Sequence, residues 1–228
     1  MVFKKQKYII GIDEVGRGAL AGKIFVAAVA LRKNLKFKIS AKGGSASGGK
    51  NLKLKDSKKL TPKQREIWFN YITRMGTDMN TDKHGLTICY AVANVSSKKI
   101  DKTNISKAAN LAATKALNEL IRNYGLRIAN CKIFLDGGLY LQTTNNKQRI
   151  TNYKQRTIIK GDEKIPAISL ASIVAKVSRD KQMINLHKKY PQYGFEKHKG
   201  YGTKKHFRAI KKHGPSKIHR LTFLKKMR

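Results

Sequence analysis

A chain of 228 residues with 50 Lys and Arg against 13 Asp and Glu carries a formal net charge of +37, long enough for one well-packed domain with a small appendage. Such a field draws polyanions, nucleic acid foremost, although a general lysine bias would give the same charge without an activity. Cys89 and Cys131 sit among apolar neighbours and read as reduced core thiols, which excludes a disulfide-stapled secreted scaffold. The longest apolar run, Ile24 to Leu31, falls far short of the roughly 20 residues that span a bilayer. The start MVFKKQKYIIGIDE meets acidic residues too soon for a secretory signal, so a soluble cytoplasmic protein is expected.

In chain order, KYIIGID and KIFVAAVALR predict two strands joined by VGRGALAG, in which Gly16, Gly18 and Gly22 allow tight turns and close approach to a ligand. Residues 32–54 are basic and rich in Gly and Ser, and read as an inserted surface loop or hairpin tip. LTPKQREIWFNYITRM predicts a helix with Thr61 as N-cap, Pro62 in its first position and Ile67, Trp68, Tyr71, Ile72 and Met75 at helical spacing. LTICYAVANVS reads as a third strand and ISKAANLAATKALNELIRNY as an Ala-rich helix ended by Gly125. RIANCKIFLDGG and RTIIKGD give a fourth and a short fifth strand. PAISLASIVAKVSRDKQMINLHKKY is a long helix opened by Pro166, and the tail after PQYGF adds a short basic helix from about Thr203. Strands that come first and then alternate with helices predict an α/β fold: a mixed sheet flanked by helices, with a small C-terminal helical part.

Four of the scarce acids stand where these strands are expected to end. Asp13 and Glu14 close YIIGIDE, Asp136 closes KIFLDGG, and Asp162 follows TIIKG. Carboxylates gathered at apolar strand tips repel one another unless a cation neutralises them. Oxygen-rich sites of this kind suit Mg²⁺ or Mn²⁺, and two such ions about 4 Å apart serve phosphoryl displacement. Separate turn and capping roles for each acid are an equal alternative, Asp136-Gly137 being an ordinary turn dipeptide. Asp13 and Glu14 are neighbours, so both reach one site only if the strand distorts or ends there. No Cys/His spacing suits zinc, and GRGALAG lacks the lysine of a Walker A loop.

GIDEVGRGALAG resembles the opening signature of the prokaryotic ribonucleases HII. The similarity continues in family order through KDSKKLTPKQRE, KIDKTNISKA, IFLDGG, KGDEKIPAISLASIVAKVSRD, PQYGFEKHKGYGTKKH and HGPSKIHRLTF. The resemblance implies an RNase H-like fold, with residues 1–190 as the catalytic domain and 191–228 as a basic helical extension that helps bind substrate. It makes Asp13, Glu14, Asp136 and Asp162 the catalytic metal ligands. Gly16, Arg17 and Gly18 would recognise the 2′-hydroxyl through their backbone, Tyr201 would pack on the sugar past the scissile ribonucleotide, and Lys58 and Lys176 would hold phosphate or organise the site. The implied activity is endonucleolytic cleavage 5′ to ribonucleotides embedded in duplex DNA, and of RNA in RNA–DNA hybrids. It would proceed by a two-metal mechanism, with Mg²⁺ or Mn²⁺, in a monomer that needs no membrane. The rival from another class is a non-catalytic basic nucleic-acid-binding protein. The sequence departs from the family at Lys23, where proline is usual, at Leu170, where a small residue is usual, in the long polar stretch after Asp136, and in the 32–54 insertion.

Of the remaining residues, His198, His206, His213 and His219 read as neutral surface or phosphate-contacting groups, and Asp180 as half of a structural salt bridge. Tyr193 and Phe195 are expected to pack the C-terminal helices, Trp68 to lie in the core, and Asp101 and Asn104 to cap the Ala-rich helix.

Overall fold

The computed structural model describes residues 8–33, 53–54, 57–77, 88–142 and 155–225. Nearly all of the 32–54 insertion, and the polar stretch from residue 143 to 154, lie outside them. Five strands, β1 (Tyr8–Val15), β2 (Ile24–Arg32), β3 (Ile88–Val95), β4 (Cys131–Asp136) and β5 (Gln155–Ile158), form one sheet in the order β3-β2-β1-β4-β5. β1 pairs antiparallel with β2 and β2 with β3, whereas β1–β4 and β4–β5 are parallel. The expected mixed sheet is therefore present, with β1 at its centre.

The central strands are buried on both faces, so β2 reads as one unbroken apolar run and not as an alternating pattern. Ile10, Ile12, Val26 and Ala28 face one core with the Ala-rich helix, while Ala27, Val29 and Leu31 face a second core with Trp68, Leu170 and Val174. Alternation along the strand thus sends successive residues of one segment into two different helical layers.

The first layer is α3 (Ile105–Tyr124), whose Ala108, Ala109, Ala112, Ala113 and Ala116 are all buried. Methyl-sized side chains bring the helix axis close to the sheet. Asn104 caps it by accepting the Lys107 amide at 2.9 Å, and Gly125 ends it in the left-handed region at φ 61°. The second layer joins α1 (Pro62–Thr77) and α5 (Pro166–Lys189). A reciprocal box opens α1: the Gln64 amide donates to Thr61 Oγ1 and the Thr61 amide to Gln64 Oε1. Leu170 is fully buried in this layer, which accommodates its departure from the smaller family residue.

Three short elements differ from expectation. A helix α2 (Ser97–Thr103) precedes α3, capped by Ser96. The segment expected to close β5 with Asp162 instead turns at Ile158 and forms α4 (Gly161–Lys164), with Asp162 in its first turn. Asp101 does not cap the Ala-rich helix. Its carboxylate accepts the Leu221 and Thr222 amides at 2.9 and 3.0 Å, tying α2 to the start of α8 (Leu221–Leu224).

The C-terminal part comprises α6 (Phe195–His198), α7 (Lys204–His213) and α8, and rests on a third apolar cluster of Leu20, Ala21, Met183, Tyr193, Phe195 and Ile210. It is bonded to the β1–β2 connection through main chain: Leu20 N to Gly200 O at 2.8 Å, Gly22 N to Ile218 O at 2.9 Å and Arg220 N to Leu20 O at 2.8 Å. No described helix is long and apolar enough to cross a membrane.

Candidate active site

The parallel β1–β4 register pairs Gly11 with Phe134 and Ile12 with Leu135, so one step further brings Asp13 level with Asp136. Asp13, Glu14 and Asp136 each offer a carboxylate oxygen, and the three oxygens lie within 4.8 Å of one another. The sequence required the strand to distort or end between Asp13 and Glu14. Instead β1 stays paired with β2 as far as Val15↔Phe25. By alternation Asp13 lies on the α5 face and Glu14 on the α3 face, and both reach Asp136 because it closes the neighbouring strand.

Each carboxylate is held by specific donors. Asp13 is 5 % exposed; its Oδ1 accepts the Glu14 amide at 2.7 Å, and it bonds the Ser172 hydroxyl on α5. Glu14 is paired with Arg17 Nη1 at 3.3 Å, and Arg17 Nη2 reaches Ser106 Oγ in the first turn of α3 at 3.0 Å. Asp136 Oδ1 accepts the Gly161 amide at 2.8 Å. Burial pushes Asp13 well above the usual carboxylate range, and the charges of Glu14 and Asp136 act the same way against the opposing hydrogen bonds. Glu14 is also raised, chiefly by burial, with Arg17 pulling it back.

These acids line one cavity of about 390 Å³, and Gly16, Arg17, Gly18, Lys58, Lys176 and Tyr201 line it with them. Asp162 stands apart from this group. It is buried in α4, does not line the cavity, and follows the Gly161 whose amide holds Asp136. Lys176 is paired with Asp180 one turn on at 2.8 Å, the structural ion pair expected of Asp180. Tyr193, Phe195 and Trp68 are buried, also as expected.

A model of the ribonuclease HII family matches residues 10–226 of the chain. The chain belongs to the ribonuclease HII family. It is 41 % identical over 222 residues to ribonuclease HII of Caldicellulosiruptor bescii, covering 96 % of this chain and 87 % of that one. It is also 41 % identical over 215 residues to ribonuclease HII of Endomicrobium trichonymphae, covering 94 % and 84 %. Among solved structures, ribonuclease H2 from Pyrococcus horikoshii OT3 superposes with a TM-score of 0.62 at 25 % identity, over 94 % of this chain and 93 % of that one. As a ribonuclease HII family member the chain has the RNase H-like fold and is a metal-dependent ribonuclease, a hydrolase with ribonuclease H activity.

The divalent-metal dependence of the ribonuclease H family fits the donor set. The carboxylates of Asp13, Glu14 and Asp136 could offer hard oxygens to a cation, their mutual repulsion favours one, and Glu14 Oε2 is buried with no hydrogen-bond partner among the described residues.

Several residues around the site escaped the sequence reading. Ser57 and Ser172 line the cavity with their hydroxyls 2.8 Å apart. The signal for Ser172 was its spacing, four residues before Lys176 on the same helix face. Arg179 and Arg220 are fully buried behind the Gly16–Gly18 segment, where a basic chain gives no hint that two of its many cations are internal. The surface reading of His206 and His219 is wrong. Both are buried, with Nε2 atoms 3.1 Å apart, because Phe195 and Tyr193 pack over them. Burial pushes each imidazole down to about 4.

Proposed function

We propose that the protein cleaves the phosphodiester on the 5′ side of ribonucleotides embedded in duplex DNA, and the RNA strand of RNA–DNA hybrids. Cleavage leaves 3′-hydroxyl and 5′-phosphate ends. One observation carries this reading: a single cavity holds Asp13, Glu14 and Asp136 together with the glycine-rich Gly16–Gly18 backbone and Tyr201. Hydrolytic ligands and a device able to sense a sugar are thus within reach of one nucleotide.

Two Mg²⁺ or Mn²⁺ ions, held by Asp13, Glu14 and Asp136 with Asp162 adding the more labile position, would supply the activation of the attacking water and the neutralisation of the leaving oxygen. The chain's own groups select and orient the substrate. A 2′-hydroxyl is the atom that separates RNA from DNA, and main chain without side chains can approach it closely. The Tyr201 ring packs on the following sugar and disfavours an additional hydroxyl there. Lys58 and Lys176 hold phosphate, Lys176 with its charge partly balanced by Asp180. Arg17 keeps Glu14 aimed inward from the rim. Support for Asp162 as a fourth ligand comes from the Gly161 amide, which tethers its segment to Asp136.

The test is cleavage of a duplex bearing one ribonucleotide, with and without EDTA, with the new ends mapped. Metal-dependent cuts with 3′-hydroxyl and 5′-phosphate termini are expected. A cyclic phosphate end, or cleavage that survives EDTA, would refute the proposal.

A further inference from the structure

Arg179 and Arg220 are both 0 % exposed, and among the described residues neither forms an ion pair with a carboxylate. Burying a guanidinium without a counter-ion is costly unless its donors are used. Two nitrogens of each donate to the main chain of one short segment, while Arg179 Nη1 and Arg220 Nη2 have no partner among the described residues. Arg220 Nη1 donates to Arg17 O at 2.9 Å and Nε to Gly22 O at 3.1 Å; Arg179 donates to Ala21 O and Lys23 O, both at 3.3 Å. Four carbonyls of the β1–β2 connection therefore turn inward onto two cations. Arg179 also lies against Tyr201, its guanidinium carbon 5.2 Å from the ring centroid, within the range of a cation–π contact.

Two geometric consequences follow. All peptide bonds here are trans, so a carbonyl and the next N–H point in opposite directions. With the Arg17 carbonyl fixed on Arg220, the Gly18 N–H is turned away from that guanidinium, and a Cβ on Gly18 would meet nothing within 4 Å. Gly16, at φ +91°, lies so close to Arg179 that a Cβ would stand 2.2 Å from its Nε. One guanidinium thus touches both the Gly16 backbone and the Tyr201 ring, from behind the cavity that both line.

We infer that Arg179 and Arg220 form an internal clamp that fixes the separation between the Gly16–Gly18 backbone and the Tyr201 ring, making them positioning residues for recognition of a ribonucleotide–deoxyribonucleotide junction. The inference rests on the proposed function, since it concerns how that junction is read. Lysine keeps the charge but lacks the planar fork, so it cannot hold two carbonyls and stack on a ring at once.

The experiment compares two substrates, a duplex with one embedded ribonucleotide and a continuous RNA–DNA hybrid, for wild type, R179K, R220K, Y201L and R179K/Y201L. R179K and R220K are expected to lower the junction-to-hybrid ratio of kcat/KM by about tenfold, mainly through kcat. In the R179K/Y201L double variant the ratio is expected to match that of Y201L, because the clamp acts through the ring. Equal loss on both substrates, tracking lost thermal stability, would overturn the clamp. A wild-type enzyme that ignores the junction would overturn the proposed function instead. Should R179K not fold, hydrogen exchange in Y201L decides the matter: faster exchange of the Leu20 to Gly22 amides is expected, and unchanged exchange counts against the clamp.

Discussion

Gly11 lies so tightly against Ala167 that a Cβ on Gly11 would stand 2.2 Å from the Ala167 carbonyl carbon. The contact is backbone against backbone, between β1 and the first turn of α5, and neither side has a flexible atom to move. Gly11→Ala is expected to destabilise the protein by about 3 kcal/mol or more, since the helix must lift from the sheet. Chemical denaturation measures this directly. The same displacement moves Ser172 relative to Asp13, so activity should fall even where the variant is folded.

Replacing Asp13 or Asp136 by Asn is expected to abolish cleavage while duplex affinity stays within about threefold, because Lys and Arg supply the electrostatic attraction. The same changes relieve repulsion among three clustered acids, of which Asp13 is buried. In EDTA, Asp13→Asn should therefore melt above the wild type. Adding Mn²⁺ should raise the melting temperature of the wild type and do so far less for the variant. A wild type indifferent to Mn²⁺ would contradict the assigned ligands.

Ser172 lines the cavity, bonds Asp13 and is itself bonded to Ser57. Ser172→Ala leaves the carboxylate less firmly oriented. Activity at limiting metal is expected to drop by about tenfold, with partial recovery at high metal concentration. Titrating Mg²⁺ against rate checks both parts.

The His206–His219 pair predicts an acid-sensitive fold. Both imidazoles sit at about 4 in the folded protein against an ordinary 6.5, because burial disfavours the charged form. A group with a lowered folded value stabilises above its unfolded pKa, and that contribution disappears as pH falls toward the folded value. Between about pH 6.5 and 4 the wild type should lose on the order of 2 kcal/mol more than His219→Gln. Urea midpoints at pH 7.5 and 5 for both proteins give the comparison. Equal losses would remove the pair from the explanation.

Much of the architecture was legible before any coordinates. Apolar runs marked β1 to β4, the fifth strand was foreseen but ends sooner than expected, at Ile158, Thr61 and Pro62 marked the start of α1, Gly125 the end of α3 and Pro166 the start of α5. These signals are local: they depend on what a residue does to its own backbone or on repeat spacing along one element. The motif residues Asp13, Glu14 and Asp136 were legible too, since scarce acids at strand tips stand out in a chain of +37 charge.

What tertiary structure alone decided were relations between distant segments. The parallel register of β1 and β4 set Asp13 beside Asp136, and no spacing in the sequence encodes that register. Asp101 left the helix next to it to cap α8, because folding brought two unsatisfied amides to its carboxylate. Arg179 and Arg220 looked like any other basic residues until the C-terminal part closed over the β1–β2 connection and left inward-facing carbonyls for them to hold. Burial is a property of the whole assembled chain. A sequence records which groups can be charged or bonded, and packing determines which of them water no longer reaches.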